Sequence, residues 1–351
     1  MAYSVIKKPS DYFNTKLYSG DGNTTQAITG VGFQPDFTWL KNRSDGTGWH
    51  RLSDGVRDVT KILFSNETNA EVTTDANGYI ASFDSDGLTV NLGSSGTGTG
   101  TNSSGDNFVT WNWLADNTSG ASNTDGSITS TVSANTTSGF SIVSYTGTGA
   151  NATIGHGLGT TPSMIIVKER DNANNWTTYH SYLGATKQLI LNDTDAEASF
   201  TATWNDTEPT SSVFSVGTSN ATNRSGGGLI AYCFAEKQGY SKFGSYTGNG
   251  NADGTFVYTG FKPAFVMIKN YSAISNWIMM DNKRDIDNVA SNRIFPNDAA
   301  AQNTNTNILD FLSNGFKIRA TSGESNESGE SYIYMAFAEE PLVGDNPATA
   351  R

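Results

Sequence analysis

The chain has 351 residues, with 22 Lys and Arg against 34 Asp and Glu, and a formal net charge of −12. Hydrophobic residues contribute 36% and charged residues 16%, while 37 Gly and many Ser, Thr and Asn accompany 11% aromatic residues. This composition excludes coiled coils and helical bundles, which need Ala, Leu and charged residues, and its aromatic content argues against a disordered chain.

Charge and residue types also exclude several partners. The sequence contains no run of Lys and Arg, so neither a nucleic acid nor an anionic membrane surface is expected to bind. Cys233 is the single cysteine, which rules out an internal disulfide. With only three histidines beside it, a zinc site is not expected. The sequence therefore predicts neither a resident metal nor a cofactor.

Residues 1–11 are predicted to form an N-terminal arm. Lys7 and Lys8 are not followed by an apolar stretch, so no cleaved leader is expected. No run approaches the roughly 18 apolar residues of a membrane helix. We expect the protein to be made in a cytosol and not to insert into a membrane.

The chain then repeats itself three times, and the first copy covers residues 12–116. Its opening run, Tyr18-Ser19-Gly20-Asp21-Gly22, is followed by Pro35, which lies 17 residues after the tyrosine. An apolar run comes next, and Trp49 lies fourteen residues after the proline. The apolar run predicts a strand that is covered on both faces. A proline at the start of such a strand costs no ladder hydrogen bond.

Residues 117–137 form a connector rich in Ser, Thr, Asn and Gly, with one strand-like stretch at 127–132. Since this composition is not that of a pure flexible linker, we expect the connector to be pinned against something, such as a neighbouring subunit.

The second copy covers residues 138–236 and the third covers 237–341, before a C-terminal tail at 342–351. The spacing of the first copy recurs in both, at Tyr145, Pro162 and Trp176 and at Tyr246, Pro263 and Trp277. Ser-x-Gly units at 85–87, 215–217 and 313–315 predict a hairpin turn in every copy. The agreement of several fixed spacings indicates a tandem triplication.

Local patterns predict strands along the whole chain. Runs rich in Val, Ile and aromatic residues are bounded by Gly, Asn, Asp and Ser, and the helix candidates are short, such as 53–61. We therefore expect an all-β fold of three tandem antiparallel β-sandwich domains with a jelly-roll-like architecture. Each copy has about 100 residues, which is enough to bury a core of its own.

Few residues in the sequence are candidates for catalysis or metal binding. Asp84-Ser85-Asp86-Gly87 resembles part of a calcium loop, but the other copies carry apolar or amide residues at matching positions, which favours a turn. Cys233 alternates with aromatic residues in an apolar strand, as is typical of an inert core thiol. We expect no enzymatic activity and no catalytic residue, and the sequence leaves calcium binding open.

Candidate binding residues are those that differ between the copies. Trp49 and its two counterparts share one spacing, which favours the same core position in each copy. Trp204 is flanked by Asn205 and Asp206 and is the first candidate for surface recognition. The other candidates are His180, Trp111 and Trp113, whose positions hold different residue types in the other copies.

Three long runs, at 32–43, 123–136 and 239–248, carry a resemblance to a known family. They resemble a virion-associated structural protein found in many tailed bacteriophages, and the resemblance extends over nearly the whole chain to Ala350-Arg351. It implies synthesis in the host cytoplasm and a place on the outside of the virion, on the tail or the capsid. It assigns no catalytic residue.

The resemblance implies a tail fibre or tail-attached appendage that binds the host surface. Its partners would be other virion proteins and a host-surface glycan or protein, and a homotrimer is expected because phage fibres are commonly trimers. The alternative is a capsid-exterior decoration protein or head fibre. A glycan depolymerase is disfavoured, because the sequence lacks the short parallel-coil repeat of a tailspike β-helix.

Overall fold

The computed structural model describes residues 4–304, 306–342 and 347. Residues 1–3 of the predicted arm, and all of the predicted tail except Leu342 and Pro347, lie outside the described residues, as does the Ala350-Arg351 end. The fold is all-β, and every ladder between its strands is antiparallel. The predicted fold class is confirmed at this level.

Residues 12–116, called the first segment below, fold into two main sheets. Its strands are β1 (Phe13–Ser19), β2 (Thr25–Thr29), β3 (Phe37–Asn42), β4 (Arg51–Asp54), β5 (Lys61–Ile62), β6 (Val72–Thr73), β7 (Tyr79–Asp84), β8 (Gly87–Asn91) and β9 (Asn107–Trp113). A 3-10 turn at Pro9–Asp11 precedes them. The strand orders are β1-β9-β3-β4 and β2-β8-β7, with β5 and β6 as a separate pair.

The connector and the second segment (138–236) form an eight-stranded sheet and a two-stranded one. The connector contributes β10 (Ala121–Asn123) and β11 (Ser130–Asn135). The second segment contributes β12 (Phe140–Thr146), β13 (Ala152–Gly155), β14 (Met164–Glu169), β15 (Thr177–His180), β16 (Lys187–Ile190), β17 (Ala198–Ser199), α1 (Thr201–Trp204), β18 (Val213–Val216), α2 (Asn220–Asn223) and β19 (Gly228–Phe234). The large sheet has the order β10-β11-β12-β19-β14-β15-β16-β17, and β13 pairs with β18.

The third segment (237–341) again has one sheet of four strands and one of three. Its strands are β20 (Ser241–Thr247), β21 (Phe256–Tyr258), β22 (Phe261–Asn270), β23 (Trp277–Asp281), β24 (Leu309–Leu312), β25 (Gly315–Ile318) and β26 (Ser331–Pro341). The orders are β20-β26-β22-β23 and β21-β25-β24. The same strand order therefore occurs three times: β1-β9-β3-β4, β12-β19-β14-β15 and β20-β26-β22-β23.

Each four-stranded array is buried on both faces. One face packs on the smaller sheet of its own segment and forms a separate apolar cluster, which gives the molecule its β-sandwich character. The opposite face contributes to a single large cluster that contains residues of all three segments. Its aromatic members include Phe13, Trp113, Phe140, Phe234, Phe265 and Phe337. The three segments therefore share one interior, in addition to the cores that each segment buries alone.

The connector is pinned by the second segment of the same chain, because β11 pairs with β12. Two local predictions are wrong. Residues 53–61 form the end of β4, a turn and the start of β5 instead of a helix. Ser215 lies inside β18, so the predicted hairpin turn at 215–217 is absent, whereas 85–87 and 313–315 do join paired strands.

Candidate functional site

All four residues predicted to recognise a partner at the surface are buried. Their exposed fractions are 2% for Trp204, 1% for His180, 0% for Trp111 and 1% for Trp113. None of them offers a surface to a ligand, so this prediction is wrong. Three of the four instead lie where two or more segments meet.

Trp204 ends the short helix α1 and packs inside the second segment. Its ring meets the edge of the Tyr179 ring at a centroid distance of 5.9 Å. The Tyr179 hydroxyl in turn donates a hydrogen bond to Glu208 at 2.5 Å. Asn205 and Asp206, whose polarity suggested exposure, have φ angles of 52° and 46°, so they form the left-handed turn that ends the helix. The polar residues after Trp204 therefore indicate a turn. They do not show whether the Trp204 side chain is exposed.

Trp111 lies at the seam between the first and third segments. Its indole N–H donates a hydrogen bond to the Asp281 carboxylate at 3.0 Å. Arg284 donates to the same carboxylate oxygen at 2.5 Å, and its guanidinium lies 5.4 Å from the centre of the Trp111 ring. The Trp111 indole N–H therefore links the two segments, in keeping with the usual pairing of a buried indole N–H with an acceptor.

The seam between the first and second segments repeats this arrangement with different residues. The Tyr232 hydroxyl donates to Asp54 at 2.8 Å, and Arg57 donates to the same carboxylate oxygen at 2.5 Å. Arg57 also donates to Glu71 at 2.9 Å, and Arg170 of the second segment donates to Glu71 at 2.8 Å. Burial opposes the charge of Glu71, but the two guanidinium groups outweigh it and hold the pKa of Glu71 below its ordinary value.

The third seam, between the second and third segments, has a histidine at the same ladder position. His180 pairs with Met164, as Asp54 pairs with Phe37 and Asp281 with Phe265. Met267, Ile333 and Met335 of the third segment lie around His180, and burial lowers its pKa to about 4.

The two ring nitrogens of His180 have separate partners. Its Nδ1 accepts a hydrogen bond from the Tyr182 amide at 3.2 Å, so the proton sits on Nε2, which faces the Tyr334 carbonyl at 3.3 Å. His180 therefore holds the seam as a neutral side chain.

We expect acid to weaken the protein through His180. The imidazole has a pKa of about 4 in the folded protein and near 6.5 when unfolded, so the unfolded chain binds more protons between these values. The free energy of unfolding is then complete above pH 6.5 and falls as the pH drops through 4, by up to about 1.4 kcal/mol per pH unit. Denaturant titrations of the wild type and His180→Asn from pH 7 to pH 4 measure this loss as a steeper fall in the wild type. Parallel curves would contradict it, since all other titrating groups are common to both proteins.

Each segment also carries one lysine that is fully buried and reaches across a seam. Lys41 donates to the Ala299 carbonyl at 2.9 Å, and Lys168 donates to the Thr68 carbonyl at 3.2 Å. The third is Lys269, which donates to the Thr194 carbonyl at 2.8 Å. The first segment thus reaches the third, the second reaches the first and the third reaches the second. Burial lowers the pKa of each of these lysines to about 8.

Two of the repeated tryptophans, Trp176 and Trp277, also reach the preceding segment, as the buried lysines of their segments do. The Trp176 indole N–H donates to the Phe64 carbonyl of the first segment at 2.8 Å. The Trp277 indole N–H donates to the Ile190 carbonyl of the second segment at 3.0 Å. Both rings are buried, as predicted, but each spans a seam as well as filling a core position.

Trp49 does not share that position, although its sequence spacing is the same. Its exposed fraction is 36%, whereas the neighbouring His50 is fully buried and accepts a hydrogen bond from Trp39 at 2.9 Å. Arg51 pairs with Leu40, which brings His50 and not Trp49 opposite the buried lysine of β3. The loop after that lysine is one residue longer in the first segment, so counting from the proline misplaced the tryptophan.

The Tyr-x-Gly-x-Gly runs are structural in all three segments. The tyrosine hydroxyls donate to the carbonyls of Thr101, Thr222 and Ser325 at 2.5, 2.6 and 2.7 Å. A Cβ atom on Gly20, Gly147 or Gly248 would lie 2.1 to 2.3 Å from a backbone oxygen, so only glycine fits there. These residues anchor the loop that enters the last strand of each segment.

The repeated prolines mark the entry to the central strands. Pro35 and Pro162 lie two residues before β3 and β14. Pro263 lies inside β22, at a point where the register against β26 shifts on both sides of it. A proline at such an irregularity costs no ladder hydrogen bond, so all three serve the sheets alone.

The surface offers different residues from those predicted. Tyr258 and Phe256, on the edge strand β21, are 55% and 44% exposed, and Tyr182 is 58% exposed. Tyr258 lines a cleft of about 380 Å³ together with Glu236, Gln238, Ser241 and Lys242. Alternation along β21 places both of its aromatic side chains on one face, but sequence alone does not reveal which face is open. That ambiguity is why these residues were missed.

Metal chemistry finds little support in the described ranges. Within them, no group of three or more His, Cys, Asp and Glu side chains is placed to hold a metal ion. Asp86, in the calcium-like run, accepts hydrogen bonds from the amides of Gly30 and Gly32, so its carboxylate ties two loops together.

Cys233 is fully buried, and burial raises the pKa of its thiol. In the part of the chain that is described, no helix has the length and apolar character needed to cross a membrane.

Fold and site together define an all-β protein of sandwich character, whose antiparallel sheets share one interior and whose polar residues join the segments. The family model described as a domain of unknown function, DUF7483, matches residues 8–341, and the chain belongs to this family. No curated protein matches the sequence, and neither does any solved structure.

Proposed function

We propose that this protein is a structural component of a tailed-bacteriophage virion, in the form of a tail fibre or tail-attached appendage that contacts the host surface. The resemblance of the runs at 32–43, 123–136 and 239–248 to such proteins motivates the proposal. The host partner would be a surface glycan or protein, and the other partners would be neighbouring virion proteins.

In this proposal, residues 12–116, 138–236 and 237–341 are three copies of one antiparallel β-sandwich. Their common strand order supports this, as do the equivalent hydrogen bonds of the repeated tyrosines and lysines. The main sheets have four and three strands in the first and third segments, so a full eight-stranded jelly roll is not part of the proposal.

The observation that carries the proposal is the closed packing of three sheets on one aromatic interior. Dense burial of this kind makes a stiff body without disulfides, which suits a part that must keep its shape outside a cell. His50, His180 and the three seam lysines are all buried in the seams. This arrangement supports a role in construction and attachment rather than in catalysis.

The proposal is tested on purified phage particles that encode this chain. Mass spectrometry should find the protein in the particle, and immunogold labelling with an antibody against it should mark the tail. Label confined to the capsid would support the alternative, a capsid-exterior decoration protein or head fibre. Absence from the particle would refute both, and release of reducing sugar from host polysaccharide by the pure protein would favour a depolymerase.

The homotrimer remains part of the proposal, and light scattering on the pure protein tests it. A trimer has three times the mass of one chain. A single chain already places three four-stranded arrays around one interior, so a mass of one chain would mean that the threefold arrangement is complete within it.

A further inference from the structure

The first strand of each four-stranded array, β1, β12 or β20, lies at its edge. The outer side of this strand is covered differently in the three segments. In the second segment, the edge strand β12 is covered because the connector strand β11 pairs with it from Ser130 to Asn135. Just before β11, Ile128 bridges Ile154 on the neighbouring small sheet. Ile128 and Val132 are each 7% exposed and belong to the core of that segment. An added strand therefore closes this edge of the sandwich.

In the first segment, side chains close the corresponding edge, beside β1. Asn14 donates a hydrogen bond to the Val31 carbonyl at 2.8 Å, and Gln26 donates to the Ser19 carbonyl at 3.1 Å. Lys16 also lies along this edge. A lysine on an edge strand often prevents that strand from pairing with another chain.

The third segment lacks the added strand, and side chains contact its edge at the two ends, where Glu236 accepts from the Phe243 amide and Thr255 donates to the Thr247 carbonyl. The positions of Asn14 and Lys16 are taken by Lys242 and Gly244, as the pairing of β20 with β26 shows. Lys242 makes an ion pair with Glu236 at 2.6 Å, and both side chains line the cleft beside β20. In the part of the chain that is described, β20 has one paired neighbour, β26, so its other side is an open edge.

The direction of the free backbone groups on β20 follows from two contacts. The Phe243 amide donates to Glu236 at 3.4 Å, and the Thr247 carbonyl accepts from Thr255 at 2.8 Å, so both residues point away from β26. Since backbone groups alternate along a strand, Ser245 points the same way. No bond to the Ser245 backbone crosses this edge among the described residues.

We propose that the open edge of β20 accepts an additional antiparallel β-strand from a partner polypeptide. The occupant is argued from β11, which is seated on the equivalent edge of the second segment. Residues 126–135 contain Gly, Ser, Thr, Asn, Ala, Val and Ile but no charged residue. The rim at β20 is likewise electrically balanced, because Lys242 and Glu236 pair with each other. The expected partner strand is therefore uncharged, with small hydroxyl and aliphatic side chains in alternation.

The cleft beside β20 gives such a strand a second contact. Tyr258 lines this cleft and is 55% exposed, whereas the ladder positions that match it hold Thr29 in the first segment and Gly155 in the second. An aliphatic side chain of the incoming strand would cover the Tyr258 ring, as Val132 is covered within the second segment. Backbone pairing gives the affinity, and this contact selects among strands.

The experiment uses the intact protein and a fluorescein-labelled synthetic peptide with the sequence of residues 126–135. Fluorescence anisotropy should show saturable binding. Ser245→Pro removes one N–H on the open side and keeps the ladder to β26, so it should weaken binding roughly tenfold or more. Tyr258→Thr, which copies the first segment, should weaken binding several-fold. Tyr182→Thr, at an exposed tyrosine elsewhere, is the matched control and should leave binding unchanged.

A second measurement keeps the test valid if Ser245→Pro fails to fold. Amide hydrogen exchange of the wild type should slow at residues 241–247 when the peptide is bound. No saturable binding would overturn the proposal, and so would protection confined to β12, where the peptide would have replaced β11. Self-association that Tyr258→Thr abolishes would also overturn it, because the occupant would then be a second copy of this chain.

Discussion

Replacing Trp113 with Ala is expected to lower the free energy of unfolding by about 3–5 kcal/mol, the range for a large aromatic residue removed from a packed core. The indole is 1% exposed and lies where the three segments meet. Its ring neighbours come from every segment: Phe13 and Phe37 from the first, Phe140 and Phe234 from the second, and Phe265 and Phe337 from the third. The substitution therefore opens a cavity that none of the segments can close alone.

Chemical denaturation monitored by circular dichroism measures this loss. Trp49→Ala is the matched control, because it removes the same side chain from a site that is 36% exposed and meets one ring, Phe64, at 5.0 Å. It should cost about 1 kcal/mol, the centre of the range for single substitutions. Equal losses for the two variants would show that Trp113 has no special place in the shared interior.

The shared interior also sets how the protein unfolds. If the three segments had only their separate cores, denaturant could melt them one after another, as in repeat proteins whose units are weakly coupled. The Trp113 cluster and the seam lysines instead connect each segment to both of the others. We therefore expect the wild type to unfold in one transition, and Trp113→Ala to broaden or divide it.

The sequence predicted the strands and the repeated positions well, because these depend on local rules. The run at 164–167 is apolar on both faces, and β14 is indeed buried on both. Tyr18, Tyr145 and Tyr246 make equivalent hydrogen bonds because the close approach at the neighbouring glycines fixes the loop in each segment. Side-chain period and glycine geometry are properties of a short stretch of chain, so a sequence reveals them.

The candidate binding residues were wrong because exposure is not a local property. Trp111 and His180 differ from their counterparts in the other segments, and that difference was taken as a sign of recognition. In the structure, the three seams use different residues for the same task, with Asp281 and Trp111 at one and His180 at another. A better signal was available in Lys41, Lys168 and Lys269, since a lysine recurring inside an apolar strand indicates a buried cation with distant partners.

Replacing Arg57 with Met is expected to cost about 3–5 kcal/mol of unfolding free energy, because it leaves the buried Asp54 carboxylate without its cation. Both side chains are fully buried, at a distance of 2.5 Å. Arg57 also holds the Tyr232 hydroxyl at 3.1 Å and Glu71 at 2.9 Å, so its loss disturbs the whole seam between the first and second segments. Thermal and urea unfolding of the variant at pH 7 measure the effect.

A double variant separates the uncompensated charge from lost packing. Asp54→Asn together with Arg57→Met removes both charges, so it should recover part of the loss, since replacing a whole buried pair costs less than breaking it. Lys8→Met breaks the ion pair with Asp11 at the same sequence spacing, but its side chain is 65% exposed, and it should cost at most about 1 kcal/mol. A double variant that is no more stable than Arg57→Met alone would mean that the guanidinium stabilises this seam by packing and by its bond to Tyr232, and that the charge of Asp54 contributes little.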